Sequence, residues 1–480
     1  MPVLTIHRDG QTETVAFEGT PTVREVLAAG GVPFEHPCGG RGTCGQCGIA
    51  ITGRLSAMTP REKEAGQRLS CLTRLNGDAE LKLESKPDII ILKDRTASSH
   101  PSTSPADVFA AADLGTTTIV LSLYRGNDPL PFFSAGAENP QRGVADDVLG
   151  RISYAREHGG ERLQREAQDT LAKLARSSGE AERITQWTIT GNTTMLYLLT
   201  GRNPEALGKA PFEPDHRFDE TIPFLGRAAY LPPCIHGFIG ADLACAVLAS
   251  GMCDRAETAL LCDLGTNGEL ALWKNGVLYA TSVAMGPALE GVGIRNGCGA
   301  RPGAIDRVSA SGNGITVRII GGEKATGLCG SGVIDAVACG LGLKLIGTDG
   351  RMEEPMALAE GVRLYQEDVQ SVLLAKAALN AGMEMLMNAS GTAWKDIRKA
   401  YLCGGFGSRM NLVNAAGIGL IPAAFPAIAE EIGNAAIRGA AMLRDDNSKK
   451  RIREIASRAK PVLLGGDPAF NRLFTEHLHF

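Results

Sequence analysis

The chain has no run of 18 apolar residues and no secretory signal at its start, so neither a membrane span nor export is expected, and a cytoplasmic setting is. It also lacks an excess of charge of either sign. A formal net charge of −4 over 480 residues, with no basic stripe, offers nothing to nucleic acid. Nor are its 12 cysteines spread as a disulfide framework. Eight of them, Cys234, Cys245, Cys253, Cys262, Cys298, Cys329, Cys339 and Cys403, are scattered among apolar or glycine-rich segments and read as small buried residues. The length suits roughly two to four domains.

The other four cysteines are clustered. In His36-Pro-Cys-Gly-Gly-Arg-Gly-Thr-Cys-Gly-Gln-Cys-Gly48, Cys38, Cys44 and Cys47 lie close together, and Cys71 completes the spacing C-x5-C-x2-C-x23-C. The interleaved glycines permit positive φ and let backbone N–H groups turn toward a negatively charged centre, as ligating sulfurs require. A structural zinc site would also use four thiolates, but it usually pairs two short C-x2-C knuckles, and only one is present. The plainer alternative is a disulfide-bonded or inert loop, for which the glycine density has no purpose. His36, beside the loop, is expected at the surface. Residues 2 to 17 alternate as two strands around Asp9-Gly10, a capped helix is predicted from Thr22, and a closing strand from Ala79. Together these segments resemble a [2Fe–2S] ferredoxin of β-grasp fold. Five residues in the first cysteine gap, rather than four, bring it nearer the adrenodoxin-like branch. The resemblance implies that Cys38, Cys44, Cys47 and Cys71 carry the iron.

Residues 94–107, DRTASSHPSTSPAD, have the composition of a flexible linker. A new domain opens beyond it with an apolar strand, a glycine turn and a second strand, the turn reading Asp113-Leu-Gly115-Thr116-Thr117-Thr118. Far downstream the unit recurs as Asp263-Leu-Gly265-Thr266-Asn267-Gly268-Glu269. One such segment is ordinary turn chemistry. Two, each opening a separate half, suit phosphate: the glycines let N–H groups approach it, the hydroxyls donate to it, and each aspartate can hold Mg²⁺ directly or through water. Tyr401-Leu-Cys-Gly404-Gly405-Phe406-Gly407-Ser408, a strand running into glycines, lets backbone pass beneath a purine or ribose. In this order the three segments resemble the acetate and sugar kinase/Hsc70/actin (ASKHA) superfamily. That resemblance implies ATP and Mg²⁺ bound between two lobes of ribonuclease H-like fold.

Several residues have duller readings. Asp242, in FIGADLACAVLASG, is a helix cap or else a residue that positions water or Mg²⁺. Asn192 reads as the end of a strand and the start of a helix, Cys329 and Cys403 as packing, and the 155–183 region as a solvated amphipathic helix face.

The segments around Asn139–Arg151, Gly191–Met195, Gly240–Asp242, Gly286–Gly291 and Leu328–Asp335, with the terminal Phe470 to Phe480, resemble the reductive activators of corrinoid-dependent methyltransferases. In that family a [2Fe–2S] ferredoxin is joined to an ASKHA ATPase. The architecture expected is therefore an α+β and α/β multidomain chain: ferredoxin-like 1–93, linker 94–107, first ATPase lobe 108–256 and second lobe 257–480. Larger members carry a further linker and middle domain, for which this chain leaves about a dozen residues. The resemblance implies ATP-dependent delivery of one electron to the cob(II)alamin of a corrinoid protein, restoring cob(I)alamin, with an upstream electron donor and a homodimeric assembly. Asp113 and Asp263 would orient Mg²⁺ and the attacking water, and Thr116, Thr117, Thr266 and Asn267 would hold phosphate oxygens. The rival readings are a small-molecule kinase with a ferredoxin redox sensor, an activator of another radical system, and a nucleotide-switched docking protein.

Overall fold

The computed structural model describes residues 1–8, 11–32, 34, 36, 40, 42, 47–83, 90–91, 107–311, 314–322, 324–404 and 410–480. The linker expected at 94–107 lies outside them apart from Asp107. None of the described helices is long and apolar enough to cross a membrane.

The N-terminal domain is a β-grasp. Its elements are β1 (Val3–Arg8), β2 (Gln11–Ala16), α1 (Val23–Ala29), β3 (Gly48–Leu55), α2 (Pro60–Ala65), β4 (Arg68–Leu69) and β5 (Leu75–Leu83), and the sheet order is β2-β1-β5-β3-β4. The hairpin β1–β2 is antiparallel, whereas β5 returns parallel to β1 with Leu4 opposite Ala79. Both helices start at a capping box, Thr22 with Glu25 and Thr59 with Glu62, which satisfies two N–H groups that a helix start leaves orphaned. Strict alternation along β5 sends Leu75, Ala79 and Leu81 into a core with Val23, Val26 and Leu27 of α1.

A two-residue strand, β6 (Ile90–Ile91), pairs antiparallel with a later strand of the next sheet. The end of the stretch read as ferredoxin-like thus adds to the edge of the first lobe. That lobe contains β7 (Val108–Leu114), β8 (Thr118–Arg125), β9 (Phe133–Glu138), α3 (Val148–His158), α4 (Glu161–Ser177), β10 (Ile184–Gly191), α5 (Thr193–Thr200), β11 (Glu220–Phe224), β12 (Arg227–Leu231) and α6 (Ala241–Ser250). Its sheet order is β11-β12-β10-β7-β8-β9-β6.

The second lobe repeats the plan. It comprises β13 (Ala259–Leu264), β14 (Asn267–Lys274), β15 (Val277–Ala284), β16 (Ala304–Ser311), β17 (Gly314–Ile319), β18 (Gly327–Leu328), α7 (Gly330–Gly342), β19 (Met356–Ala359), β20 (Val362–Leu364), α8 (Gln366–Ser390), β21 (Lys399–Cys403), α9 (Leu412–Gly417), α10 (Phe425–Ile428), β22 (Ala429–Glu431), α11 (Ala435–Met442), α12 (Asp446–Arg458), β23 (Ala459–Pro461) and α13 (Pro468–Glu476). Its main sheet runs β22-β21-β13-β14-β15-β23. In both lobes an antiparallel three-strand meander is followed by a strand parallel to its first member: β10 beside β7, and β21 beside β13.

β7 reads as an unbroken apolar run because both of its faces are covered. Val108, Ala110 and Ala112 join the outer core of the first lobe, while Phe109 and Ala111 face a second core built with α6, α11, Leu261 and Tyr401. This shared core joins the lobes, and small residues make it possible. At Gly439 of α11 a Cβ would stand 2.0 Å from the Cys245 carbonyl oxygen of α6, so the two helices touch backbone to backbone. On the far side of the second sheet, α7 and α8 cover β13 and β14. The amphipathic region predicted at 155–183 forms α4, with Leu163, Leu171 and Leu174 buried and its charges outward.

Candidate functional site: a cysteine loop and an acidic cleft

Of the four clustered cysteines, Cys47 and Cys71 are described, and Cys38 and Cys44 lie outside the described residues. Cys47 and Cys71 are buried, and their Sγ atoms are 3.2 Å apart. A disulfide between them would hold the sulfurs at ~2.05 Å, so they converge without being bonded to each other. The segment between them is braced. The Ser70 N–H donates to the Cys47 carbonyl, and the wholly buried Glu62 carboxylate of α2 accepts from the Leu69 N–H and the Thr73 hydroxyl. His36, expected at the surface, is 7% exposed: its Nε2 is 2.9 Å from Ser70 Oγ, and its ring packs edge-on against Phe34. Two convergent sulfurs on a braced loop are a donor set that fits a thiolate-held cluster.

The second site lies where the two meanders face each other. Asp113 and Asp263 are the last residues but one of β7 and β13, just before each glycine-bearing turn begins. The turns meet across the cleft, where Thr117 Oγ1 and Thr266 Oγ1 are 2.7 Å apart. Glu269 stands opposite Asp263 in the β13–β14 register. Asp242 lies in the first turn of α6, whose N-cap is Gly240, so the capping alternative for Asp242 is not what the helix uses; its carboxylate accepts from the Leu243 N–H at 2.8 Å.

These half-buried acids share one region, and each keeps its proton well above the ordinary carboxylate range. Burial raises Asp113 to about 6, against a hydrogen bond from Asn434. Burial, then the negative charges of Asp113 and Asp263, lift Asp242 to about 7. Burial and the neighbouring Asp113 lift Asp263 to about 7. Glu269 is pushed up by burial and then by Asp242 and Asp263. Among the described residues no group of three or more His, Cys, Asp or Glu side chains is placed to hold a metal ion directly. An acid set too spread to chelate, yet mutually repelling, fits a cation that reaches it through water and phosphate oxygens.

The threonine turns are held from behind. Asn139 donates to the Gly115 carbonyl, and Asn192 to Thr116 Oγ1 while also capping α5, as the sequence predicts. The buried Arg151 guanidinium donates to the Thr116 carbonyl, the Gln141 side chain and the Ala145 carbonyl. Thr118 begins β8 and is exposed, whereas Thr266 donates to Glu290 at 3.0 Å. Asn267 and Gly268 open β14. Gly265 lies in the turn before them. Gly404, at φ +96° on the end of β21, lies so close to β13 that a Cβ would be 2.5 Å from the Leu264 carbonyl oxygen and 2.6 Å from Asp263 Oδ1. Gly405, Phe406 and Gly407 lie outside the described residues. Cys329 and Cys403 are buried, as expected of packing residues, but the Cys403 thiol also hydrogen-bonds the Asp263 carboxylate. The reading missed Asn434. It caps α11 through the Ile437 N–H and donates to Asp113 at 3.2 Å, and its only signal was an Asn preceding an alanine-rich helix. Glu290 sat within a recognised segment but was not assigned to the site.

Three family models tile the chain: a 2Fe-2S iron-sulfur cluster binding domain over 6–76, the RACo middle region over 109–255, and the C-terminal ASKHA domain of RACo over 257–480. The middle region, for which the linker left no room, is therefore present as the first lobe. The chain is 32% identical over 377 residues to the corrinoid activation enzyme RamQ of Eubacterium limosum, covering 69% of this chain and 63% of that protein. It is 28% identical over 276 residues to a [Co(II) methylated amine-specific corrinoid protein] reductase of Methanosarcina barkeri, covering 52% and 51%. It thus spans less than two thirds of the length of either relative. A solved reductive activator for corrinoid, iron-sulfur protein superposes over 99% of this chain and 98% of that one with a TM-score of 0.73 at 23% identity, a likeness of fold. With a ferredoxin region, a middle region and an ASKHA region matched in that order, the chain belongs to the RACo family of reductive activators.

Proposed function

We propose that the chain is an ATP-dependent reductive activator. It delivers one electron to the cob(II)alamin of a corrinoid protein, returning cobalt to cob(I)alamin, while ATP is hydrolysed to ADP and phosphate in the acidic cleft. The observation that carries this reading is the joining, on one chain, of a loop of convergent thiols to a two-lobed cleft whose turns meet at Thr117 and Thr266. The relatives' names, which specify corrinoid proteins, supply the substrate class.

Cys38, Cys44, Cys47 and Cys71 would hold a [2Fe–2S] cluster, which supplies single-electron transfer when bound. An upstream donor protein would restore the electron. In the cleft, Asp113 and Asp263 would hold Mg²⁺ through water, and Thr116, Thr117, Thr266 and Asn267 would bind phosphate oxygens. Asp242, whose carboxyl titrates at about 7, is matched to accepting a proton from the attacking water. Gly404 to Gly407 would pass beneath the nucleoside.

The ATP requirement follows from potential. Each ~59 mV uphill costs tenfold for one electron, so a deficit of about 300 mV costs ~7 kcal/mol. Micromolar binding is worth about 8 kcal/mol, so differential binding of the corrinoid protein between nucleotide states can cover the gap. The test is anaerobic absorption spectroscopy of cobalt in a corrinoid protein mixed with the reduced, iron-loaded chain. Co(I) is expected only with MgATP present, and equal reduction without nucleotide overturns the reading.

A further inference from the structure

Among the described residues, the ferredoxin domain and the second lobe meet at a charged contact outside the cleft. Arg295 Nη1 lies 3.2 Å from Glu64 Oε1 of α2, and Glu64 also accepts from Arg61 at 2.8 Å. Arg295 is held ready for this contact. Its guanidinium carbon stacks 4.1 Å above the Tyr365 ring, and its backbone N–H donates to Asp368 at 2.7 Å. A cavity of about 400 Å³, lined on the second lobe by Arg295, Met352, Tyr365 and Glu367 and closed on the ferredoxin side by Glu64, adjoins the ion pair, so the pair borders open space.

Both ends of the ion pair lead to a functional site. On one side, α2 carries Glu62, whose carboxylate braces Leu69 and Thr73 on either side of Cys71. On the other, Arg295 follows Glu290 by five residues, and Glu290 accepts the Thr266 hydroxyl that meets Thr117 across the cleft. A phosphate oxygen at these turns would compete with Glu290 for the Thr266 proton.

We propose that the Arg295–Glu64 pair is a nucleotide-controlled clasp between the cluster-bearing domain and the second lobe: phosphate at Thr266 frees Glu290, the 287–295 segment shifts, and α2 is released. This rests on the cleft being a nucleotide site. It gives the ferredoxin domain a docked position and a freed one, as a domain that must meet both an electron donor and an acceptor protein requires. An exposed ion pair biases such an equilibrium by only about two- to five-fold, which suits a contact that has to open.

The test is hydrogen–deuterium exchange on the intact iron-loaded chain, with and without magnesium and a non-hydrolysable ATP analogue, binding of the analogue being measured in parallel. Exchange at residues 62–67 is expected to quicken about two- to five-fold with the analogue. Arg295→Glu should quicken it without nucleotide and abolish the response, with analogue affinity tightened by no more than about the same two- to five-fold, since the coupling is reciprocal. The charge-swapped double variant Glu64→Arg with Arg295→Glu should restore the response. Analogue binding with unchanged exchange at 62–67 overturns the clasp and leaves the nucleotide site standing. A double variant that stays unresponsive overturns the pairing. Failure of the analogue to bind overturns the nucleotide site and the clasp with it.

Discussion

Asp113, Asp242 and Asp263 are raised to about 6, 7 and 7, first by burial and, for Asp242 and Asp263, then by the negative charge of their neighbours. The folded pKa lies above the unfolded one, so the folded chain binds more protons between the two, and the contribution of these groups to stability is lost as pH rises through 6 to 7. Asp242→Asn keeps the contact with the Leu243 N–H and removes one repelling charge. It should melt higher than the parent chain, by a margin that grows from about pH 5 to pH 8, while losing ATP turnover; a pH-independent margin in calorimetry would refute the shared repulsion. Because Mg²⁺ would favour the ionised acids, binding of MgATP near pH 6.5 should release protons, and binding near pH 8.5 should not, as read by calorimetry in buffers of different ionisation enthalpy. Asp263→Ala should reduce ATP hydrolysis by about 10²–10³-fold, and normal turnover in that variant removes Asp263 from the site.

At the scale of elements, the cleft is made by two strand ends and two helix starts. β7 and β13 deliver Asp113 and Asp263, α6 brings Asp242 in its first turn, and α11 brings Asn434 as its N-cap. The positive ends of both helices thus lie where phosphate charge would be placed. Asn434→Ala removes the cap and the hydrogen bond to Asp113 together, and should cost about 1–2 kcal/mol in denaturant unfolding. Gly404→Ala sets a methyl group against the Leu264 carbonyl and the Asp263 carboxylate at a positive φ, so β21 must part from β13. A loss of about 1–3 kcal/mol with weakened nucleotide affinity is expected, and unchanged affinity would place the nucleoside elsewhere.

Across the whole molecule, the two candidate sites sit on separate cores: Cys47 and Cys71 pack with Leu69 beside the β-grasp core, and the acidic cleft lies among the cores of the two lobes. They should fail separately. Cys71→Ser should lower iron content and remove the cluster's absorbance while nucleotide affinity stays within about two-fold, since these cores share no buried residue. Nucleotide affinity lost along with iron would mean that the domains fold as one unit.

By itself the sequence determined what local periodicity and short motifs carry. The alternation of β5, the cap at Thr22, the apolar runs of β7 and β13 and the paired Asp-Leu-Gly-Thr turns were all legible, because each depends on neighbours within a few residues. Tertiary structure alone decided what those residues meet. Nothing local marks Asn434 as the partner of Asp113, 321 positions away, or Arg295 as the partner of Glu64, 231 positions away. The burial of His36 against Ser70 and the rise of four acids above their ordinary range are equally non-local, since solvent exclusion and charge repulsion are set by everything the fold brings near.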